Sequence, residues 1–291
     1  MSVTLGITLA FAAMFCWGFG DFLIQKSARR LGNWETLFLI TFFGVFLLLP
    51  FSFHKILPFF SNPLMGKWVI FTAALAMLIA AIAEFESLRR GKISVVEPIW
   101  SLEIPMSIFL AFIILGEKLS LTNLILITCL LIGLVLVSVR EKKHFKNIFL
   151  ERGALVALGA ALLMGGTNFF VGWGARETDP VFVNFIINVV LAIATGLFLF
   201  YKGKLKNVFI DLGKQPLTLS VMIILDNMAW VAFAFAMSLA QIGVAVALSE
   251  SYIIIAVLLG FFVNKERLQI HQKLGLVLTI ISAIILASIT I

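Results

Sequence analysis

The chain has 291 residues, of which 62% are hydrophobic and 13% charged, and its mean hydropathy is +1.11. A soluble domain is nearer half apolar and a quarter charged, so this composition excludes a globule that covers itself with polar groups in water. The net charge of +7 does not indicate nucleic acid, because the Lys and Arg residues sit in short clusters between apolar runs, as the basic loops of membrane proteins do.

Ten apolar spans follow in chain order, near 4–25, 34–53, 67–88, 93–115, 121–139, 153–175, 181–200, 217–239, 243–263 and 271–290. Each approaches the ~20 residues that a bilayer-crossing helix needs. Barrel strands would be half as long and would alternate in polarity. The first span has no basic residue before it, so a cleaved signal is not expected. Turn and charge signals separate the spans: Leu31-Gly32-Asn33, Asn62-Pro63, Arg89-Arg90-Gly91-Lys92, Thr178-Asp179-Pro180 and Gln215-Pro216. A basic connection from Arg140 to Arg152 joins two halves. Residues 1–140 and 153–291 are therefore read as two five-helix repeats, with 141–152 as the linking loop. Cys16 and Cys129 both lie inside spans, and His54, His144 and His271 form no ligand cluster, so no disulfide scaffold, cofactor or metal is expected.

The halves resemble one another. Gly18-Phe19-Gly20-Asp21-Phe22 with Ala28-Arg29 returns as Gly165-Gly166-Thr167-Asn168-Phe169 with Ala175-Arg176, at an offset of 147. Gly116-Glu117-Lys118-Leu119 returns as Lys265-Glu266-Arg267-Leu268, at 149. A unit of five spans is odd, so its second copy must cross the bilayer in the opposite sense. Of the 22 Lys and Arg residues, 18 fall in the connections after spans 1, 3, 5, 7 and 9; Lys55, Lys67, Lys118 and Arg176 are the remainder. The positive-inside rule puts the richer side in the cytoplasm and both termini outside.

Several motifs are similar to the drug/metabolite transporter superfamily, in its ten-span EamA-type branch. Trp17-Gly18 followed by Lys26 resembles the opening motif of that family. Ser94-Val95-Val96-Glu97-Pro98, Leu115-Gly116-Glu117-Lys118 and Leu131-Ile132-Gly133-Leu134 follow in its order, and Asn264-Lys265-Glu266-Arg267-Leu268 repeats the third group loosely. The resemblance implies an all-α polytopic protein with two inverted repeats around a central cavity. Spans 1–4 and 6–9 would line that cavity, with 5 and 10 outside. It also implies alternating access to a small-molecule substrate, among amino acids, other metabolites, nucleotide sugars and drugs. Span 9 lacks the prolines of span 4, so the halves are not expected to bend alike.

Seven acids fall within spans: Asp21, Glu84, Glu86, Glu97, Glu103, Asp226 and Glu250. A charge at the centre of a membrane helix costs at least ~2.5–3.5 kcal/mol, so each needs a wet cavity, a partner or a proton. Glu86 precedes Arg89 and Arg90 by three and four residues, the spacing of a local ion pair. Glu84 lies one turn deeper and reads either way. Glu97 sits in the first turn of span 4, where a carboxylate suits the helix dipole. Asp21 is about one turn from its span end. Glu103, Asp226 and Glu250 are the deep ones. Glu103 shares a stripe with Trp100 and Ser107, Asp226 with Trp230, and Glu250 neighbours Tyr252. Carboxylates among aromatics suit an amine or ammonium substrate, and they suit proton coupling equally. The expected site is Glu103, Asp226 and Glu250, with Asp21, Asn168, Trp17, Trp100, Trp230 and Tyr252 shaping it.

Pro98 and Pro105 free the carbonyls of Ser94 and Ser101 and point to a kink in span 4. Gly165-Gly166 and Gly172-Trp173-Gly174 permit close packing or local unwinding of span 6, close packing being the favoured reading. Asn184, Asn188 and Thr195 share a face of span 7 suited to interhelical hydrogen bonds or to substrate contact. The reading is a secondary transporter of a small polar metabolite, with an amino acid or amine foremost and outward movement expected, in the inner membrane. Multidrug, sugar or nucleotide-sugar carriage is the alternative, and a homodimer stays open. A remote alternative is an intramembrane aspartyl protease, because Gly18-Phe19-Gly20-Asp21 matches GxGD and Asp226 supplies a second carboxyl. The order of the two aspartates and the repeat both argue against it.

Overall fold

The computed structural model describes residues 2–61, 65–90, 99–139, 154–255, 258 and 268–290. Among them the chain is helical throughout: α1 (Ser2–Leu31), α2 (Asn33–Ser61), α3 (Met65–Arg90), α4 (Glu103–Leu115), α5 (Leu121–Ser138), α6 (Ala154–Glu177), α7 (Pro180–Tyr201), α8 (Leu205–Lys214), α9 (Pro216–Leu239), α10 (Ile242–Ser249) and α11 (Ile270–Thr290). Eight of these are long and apolar enough to cross a bilayer. Spans 4 and 9 are represented by the shorter apolar helices Glu103–Leu115 and Ile242–Ile255. Glu97, Pro98, the 140–152 connection and Glu266 lie outside the described residues, as do the side chains of Arg89 and Arg90 that were to pair with Glu86.

The turn signals mark real boundaries. Gly32, at φ 117°, separates α1 from α2. Asp179 caps α7 through hydrogen bonds from the N–H groups of Val181 and Phe182, both 3.0 Å, with Pro180 at the first helical position. Pro216 opens α9 in the same way. The helix α8 was not foreseen. It is a ten-residue surface element in the 201–215 connection, too short to register against the longer apolar spans on either side.

The principal packings cross between the halves: α1 on α9, α3 on α6, α2 on α7, α4 on α6, α1 on α10, and α5 on α11. Exchanging each span for the one five places on turns this set into itself. The α1–α9 packing becomes α6–α3, α4–α6 becomes α10–α1, and α2–α7 and α5–α11 are unchanged. The repeat is therefore present in three dimensions as well as in sequence. The outer faces carry exposed Phe51, Phe53, Leu57, Leu197, Phe200 and Leu217, as lipid contact requires.

Spans 4 and 9 both break, and at matching places. In span 4 a turn at Ser101 and Leu102 precedes α4. Pro105 has no N–H to give the Ser101 carbonyl, which instead accepts from Ile104 at 3.4 Å, a tighter closure. In span 9, α10 passes into a 3₁₀ turn at Glu250–Tyr252. The expectation that the halves would not bend alike is thus corrected: both spans break. A 3₁₀ closure needs no proline.

Candidate functional site

Both breaks carry an acid. Glu103 is the first residue of α4 and Glu250 the first of the 3₁₀ turn; they are 8% and 7% exposed. They are also 147 residues apart, the offset that relates Gly18 to Gly165. Each is thus the repeat counterpart of the other. The two carboxyls lie within hydrogen-bonding reach of one another. Asn168 of α6 completes the group, and its Nδ2 donates to Glu103 Oε2 and Glu250 Oε1, each at 3.4 Å. Its Oδ1 is buried without a hydrogen-bond partner.

Close packing brings α4 to α6. A Cβ at Gly165 would stand 2.6 Å from the Glu103 carbonyl oxygen and 2.7 Å from Met106 Cβ, so only glycine fits. Ser107 Oγ donates to the carbonyls of both Glu103, at 2.9 Å, and Gly165, at 2.8 Å. Ser107 is therefore a packing residue rather than a lining one, and α6 is continuous through its glycines.

Asp21 of α1, the repeat counterpart of Asn168, lies within hydrogen-bonding reach of the Tyr252 hydroxyl. It is within electrostatic reach of Glu84, Asp226 and Glu250. Glu84 is in turn close to Glu250 and Asp226. Glu84, left ambivalent by its sequence position, thus joins the cluster. Four elements from one half and the other converge here: α1, α3, α9 and the 3₁₀ turn. Asp226 is 9% exposed on α9.

The aromatic residues mostly meet each other. Trp17 packs edge-on against Trp230 at 5.1 Å and Phe233 at 5.0 Å, and lies tilted 6.3 Å from Tyr252. Ser249 Oγ donates to the Ala10 carbonyl at 3.2 Å and holds the end of α10 against α1. Among the described residues Trp100 makes no ring contact with this group, and its indole Nε1 is buried without a partner, as is Ser101 Oγ. On α7, Asn184 donates to the Trp230 carbonyl at 3.2 Å and Asn188 to Asn227 Oδ1 at 2.8 Å. Thr195 bonds its own helix at Leu191. The two asparagines make the expected interhelical bonds.

Among the described residues no group of three or more His, Cys, Asp and Glu is arranged to hold a metal ion. The described ion pairs lie toward helix ends or in the connections between helices: Arg176 with Glu117, Lys55 with Asp179, Lys204 with Glu35, and Lys214 with Asp211. The first two join one half of the chain to the other, and Gln241 Nε2 adds a bond to the Lys118 carbonyl at 3.1 Å. Sequence reading had not singled out Glu117 or Arg176 for this purpose, although both stand in the repeated motifs.

A family model described as the EamA-like transporter family matches residues 4–139 and again 151–288. A solved crystal structure, described only as that of a protein, superposes with a TM-score of 0.77 at 13% identity, over 98% of this chain and 97% of the other. That likeness is one of fold. No curated protein matches.

Proposed function

Since the chain belongs to the EamA-like transporter family and is a multi-pass membrane protein, we propose that it is a secondary carrier of ten spans in two inverted halves. It moves a small polar metabolite, an amine or amino acid, outward across the inner membrane by alternating access, with both termini outside. The observation that carries this reading is the Glu103–Asn168–Glu250 group, in which the first half meets the second through buried polar side chains. A group shared by both halves is remade whenever one half moves against the other, so whatever binds there biases which face is open. The cross-half packing, which maps onto itself under exchange of the repeats, is what an inverted pair requires.

Glu103, Glu250, Asp226 and Asp21 bind the substrate or carry the coupled proton. Trp17, Trp230 and Tyr252 form one wall, and Trp100, which makes no described ring contact with them, has the weaker claim. The ion pairs of Glu117 with Arg176 and of Lys55 with Asp179 support a state sealed on the side poorer in basic residues. A transporter family leaves the aspartyl-protease reading without support.

Ser249 lies fully buried at the end of α10, between Ile242, whose N–H the Glu117 carboxylate accepts, and Glu250 along the chain. In protein freed of Cys16 and Cys129, a Ser249→Cys reporter in proteoliposomes should be reached by a membrane-impermeant maleimide from the sealed side only when that side opens. Labelling should change with an imposed pH gradient or with substrate. A reporter silent, or equally reactive, under every condition would refute alternating access. Glu103→Gln, Asp226→Asn and Glu250→Gln should each slow flux of the transported metabolite; wild-type rates in all three would refute the site.

A further inference from the structure

The helix α8 is too short to cross a bilayer, yet it is not a plain linker between α7 and α9. Leu205, Val208 and Leu212, at spacings of three and four, turn inward and pack in a core with Phe38, Leu199, Leu219, Met222 and Ile223. Lys204 reaches Glu35 at the start of α2 at 3.2 Å, so the α7–α8 connection is held against the α1–α2 turn. Beside the inward face, Phe209 and Ile210 remain 42% and 46% exposed.

The position of Phe209 says what covers that flank. Its ring meets Phe38 edge-on at 6.0 Å and Phe42 at 5.8 Å, and Phe42 meets the exposed Phe46 at 5.1 Å. Phe38 and Phe42 stand about 8–14 Å along α2 from its first residue. The row Phe209, Phe42, Phe46 therefore runs down the outer face of a membrane-spanning helix, and the open flank of α8 continues a surface that lipid covers.

Basic side chains border this flank. At about 100° per residue, Lys206 falls between Phe209 and Ile210 around α8, while Asn207 and Asp211 fall on the other side. Lys202 stands 5.8 Å from the Phe198 and Tyr201 ring centroids, and Tyr201 is exposed. Trp34 stacks on Phe198 at 3.9 Å. Trp and Tyr beside Lys mark the level at which acyl chains give way to headgroups. Lys204 and Lys214 are paired with Glu35 and Asp211. Among the described residues Lys202 and Lys206 have no acidic partner, and both are exposed. Arg29 and Arg30, in the last turn of α1, add positive charge near the same end of the bundle.

We propose that Lys202, Lys206 and the open flank of α8 form a docking face for the headgroup of an anionic phospholipid. Phe209 and Ile210 enter the acyl boundary, and the two lysine stems carry their ammonium groups up to the phosphate. A zwitterionic headgroup brings its own cation to that phosphate; an anionic one leaves the charge to the protein, and this difference supplies the selectivity. The inference goes beyond the carrier reading and holds whatever the protein moves. Because α8 ties α2 of the first half to α7 and α9 of the second, the bound lipid sits where the halves meet.

The test uses the full-length chain, freed of Cys16 and Cys129, in nanodiscs. An NBD fluorophore is placed at Ile210→Cys or, separately, at Asn207→Cys. Emission from position 210 should be blue-shifted and that from 207 should remain aqueous. Phosphatidylglycerol spin-labelled at the fifth acyl carbon should quench position 210 with an apparent affinity at least about fivefold above that of the same label on phosphatidylcholine. High salt should shrink this preference, because both lysines are exposed. The lipid comparison needs no lysine variant. Lys202→Gln with Lys206→Gln should remove most of the preference, whereas Lys118→Gln, next to the Arg176 pair at the other end of α7, should leave it intact. Equal quenching by the two lipids, or a preference that survives the double change, overturns the site. Aqueous emission from both positions would mean that α8 stands clear of the bilayer and offers its flank to a soluble partner, which overturns it as well.

Discussion

Glu117 Oε1 meets Arg176 at 2.5 Å, and this pair fastens the junction between α9 and α10 from both sides. Arg176 Nε donates to the Met237 carbonyl at 2.8 Å and its Nη2 to the Ala240 carbonyl at 2.7 Å, so a cation closes the C-terminus of α9. Glu117 Oε2 accepts the Ile242 N–H at 3.0 Å, so a carboxylate closes the N-terminus of α10. Each charge sits at the helix end its sign favours. Gly116, in the left-handed region at φ 67°, ends α4 and turns the chain so that Glu117 points inward. The Leu-Gly-Glu motif thereby acquires a physical role: it reaches from the first half to hold the joint of the second.

Arg176→Leu should therefore destabilise the protein by about 2–3 kcal/mol, between the values for exposed and buried pairs, because two carbonyls and one carboxylate lose their donor together. Glu117→Gln keeps a group that can accept from Ile242 and should be milder. Thermal unfolding in detergent, run as a double-mutant cycle, reads the coupling between them. Strictly additive single-mutant effects would show that the pair does not act as a unit.

The α5–α11 packing makes a second prediction. A Cβ at Gly133 would lie 2.8 Å from the Gly275 carbonyl oxygen, and one at Gly275 would lie 2.7 Å from that of Gly133. Gln272 Nε2 and His271 Nε2 reach the carbonyls of Val137 and Val139 at 3.0 and 2.8 Å alongside. Gly133→Ala or Gly275→Ala should cost about 1–3 kcal/mol through forced separation of the two helices. Neither α5 nor α11 carries a member of the acidic group, so flux of the transported metabolite should be unchanged in the protein that folds. A loss of stability below about 0.5 kcal/mol would mean the helices part freely.

Much of this architecture was legible in the chain. The apolar spans follow from composition and length, and the doubling follows from Gly18-Phe19-Gly20-Asp21 and Gly165-Gly166-Thr167-Asn168. The pairing of Glu103 with Glu250 was within reach as well, since the same offset of 147 relates them, but it becomes persuasive only when the two carboxyls meet. What sequence could not supply is contact between distant segments. Glu84 and Glu86 look alike as two acids near a basic helix end, and only the packing around α3 brings Glu84 to Asp226. Trp100 shares a helical stripe with Glu103 in sequence, yet the turn at Ser101 and Leu102 interrupts the helix between them and removes the geometry on which that stripe depended. Arg176 read as one of four stray cations on a sparsely charged side, because its acceptors are carbonyls some 60 residues away.

Asn227 links three helices. Its Nδ2 donates to the Ile40 carbonyl of α2 at 3.2 Å and to Ile223 of its own helix at 2.9 Å, while its Oδ1 accepts from Asn188 of α7. Both asparagines are buried, at 5% and 9% exposure. Asn227→Ala leaves the Asn188 amide without an acceptor and should cost about 1–3 kcal/mol. Asn227→Ala with Asn188→Ala should cost less than the sum, because the second change removes the stranded group. Detergent unfolding of the four proteins measures this, and a double variant as unstable as the sum would refute the link.

Asp179 supplies a pH dependence that does not involve the acidic cluster. Partial burial works to raise its carboxyl, but the hydrogen bond from Lys55, the N–H of Phe182, the charge of Lys55 and the N–H of Val181 together outweigh it and hold the group below the ordinary aspartate value of 3.8. Lys55 Nζ stands 2.7 Å from Oδ2. A carboxyl lowered on folding contributes stability that is fully present above its unfolded value and is lost as pH falls through its folded one. Asp179→Asn keeps an oxygen to cap α7 but carries no charge. The stability difference between wild type and Asp179→Asn should hold steady from neutrality to about pH 5, shrink as pH drops below 3.8, and vanish once the folded value is passed. Added salt should reduce it at neutral pH, because both side chains are partly exposed. A difference that grows on acidification would mean that Asp179 acts through something other than its charge.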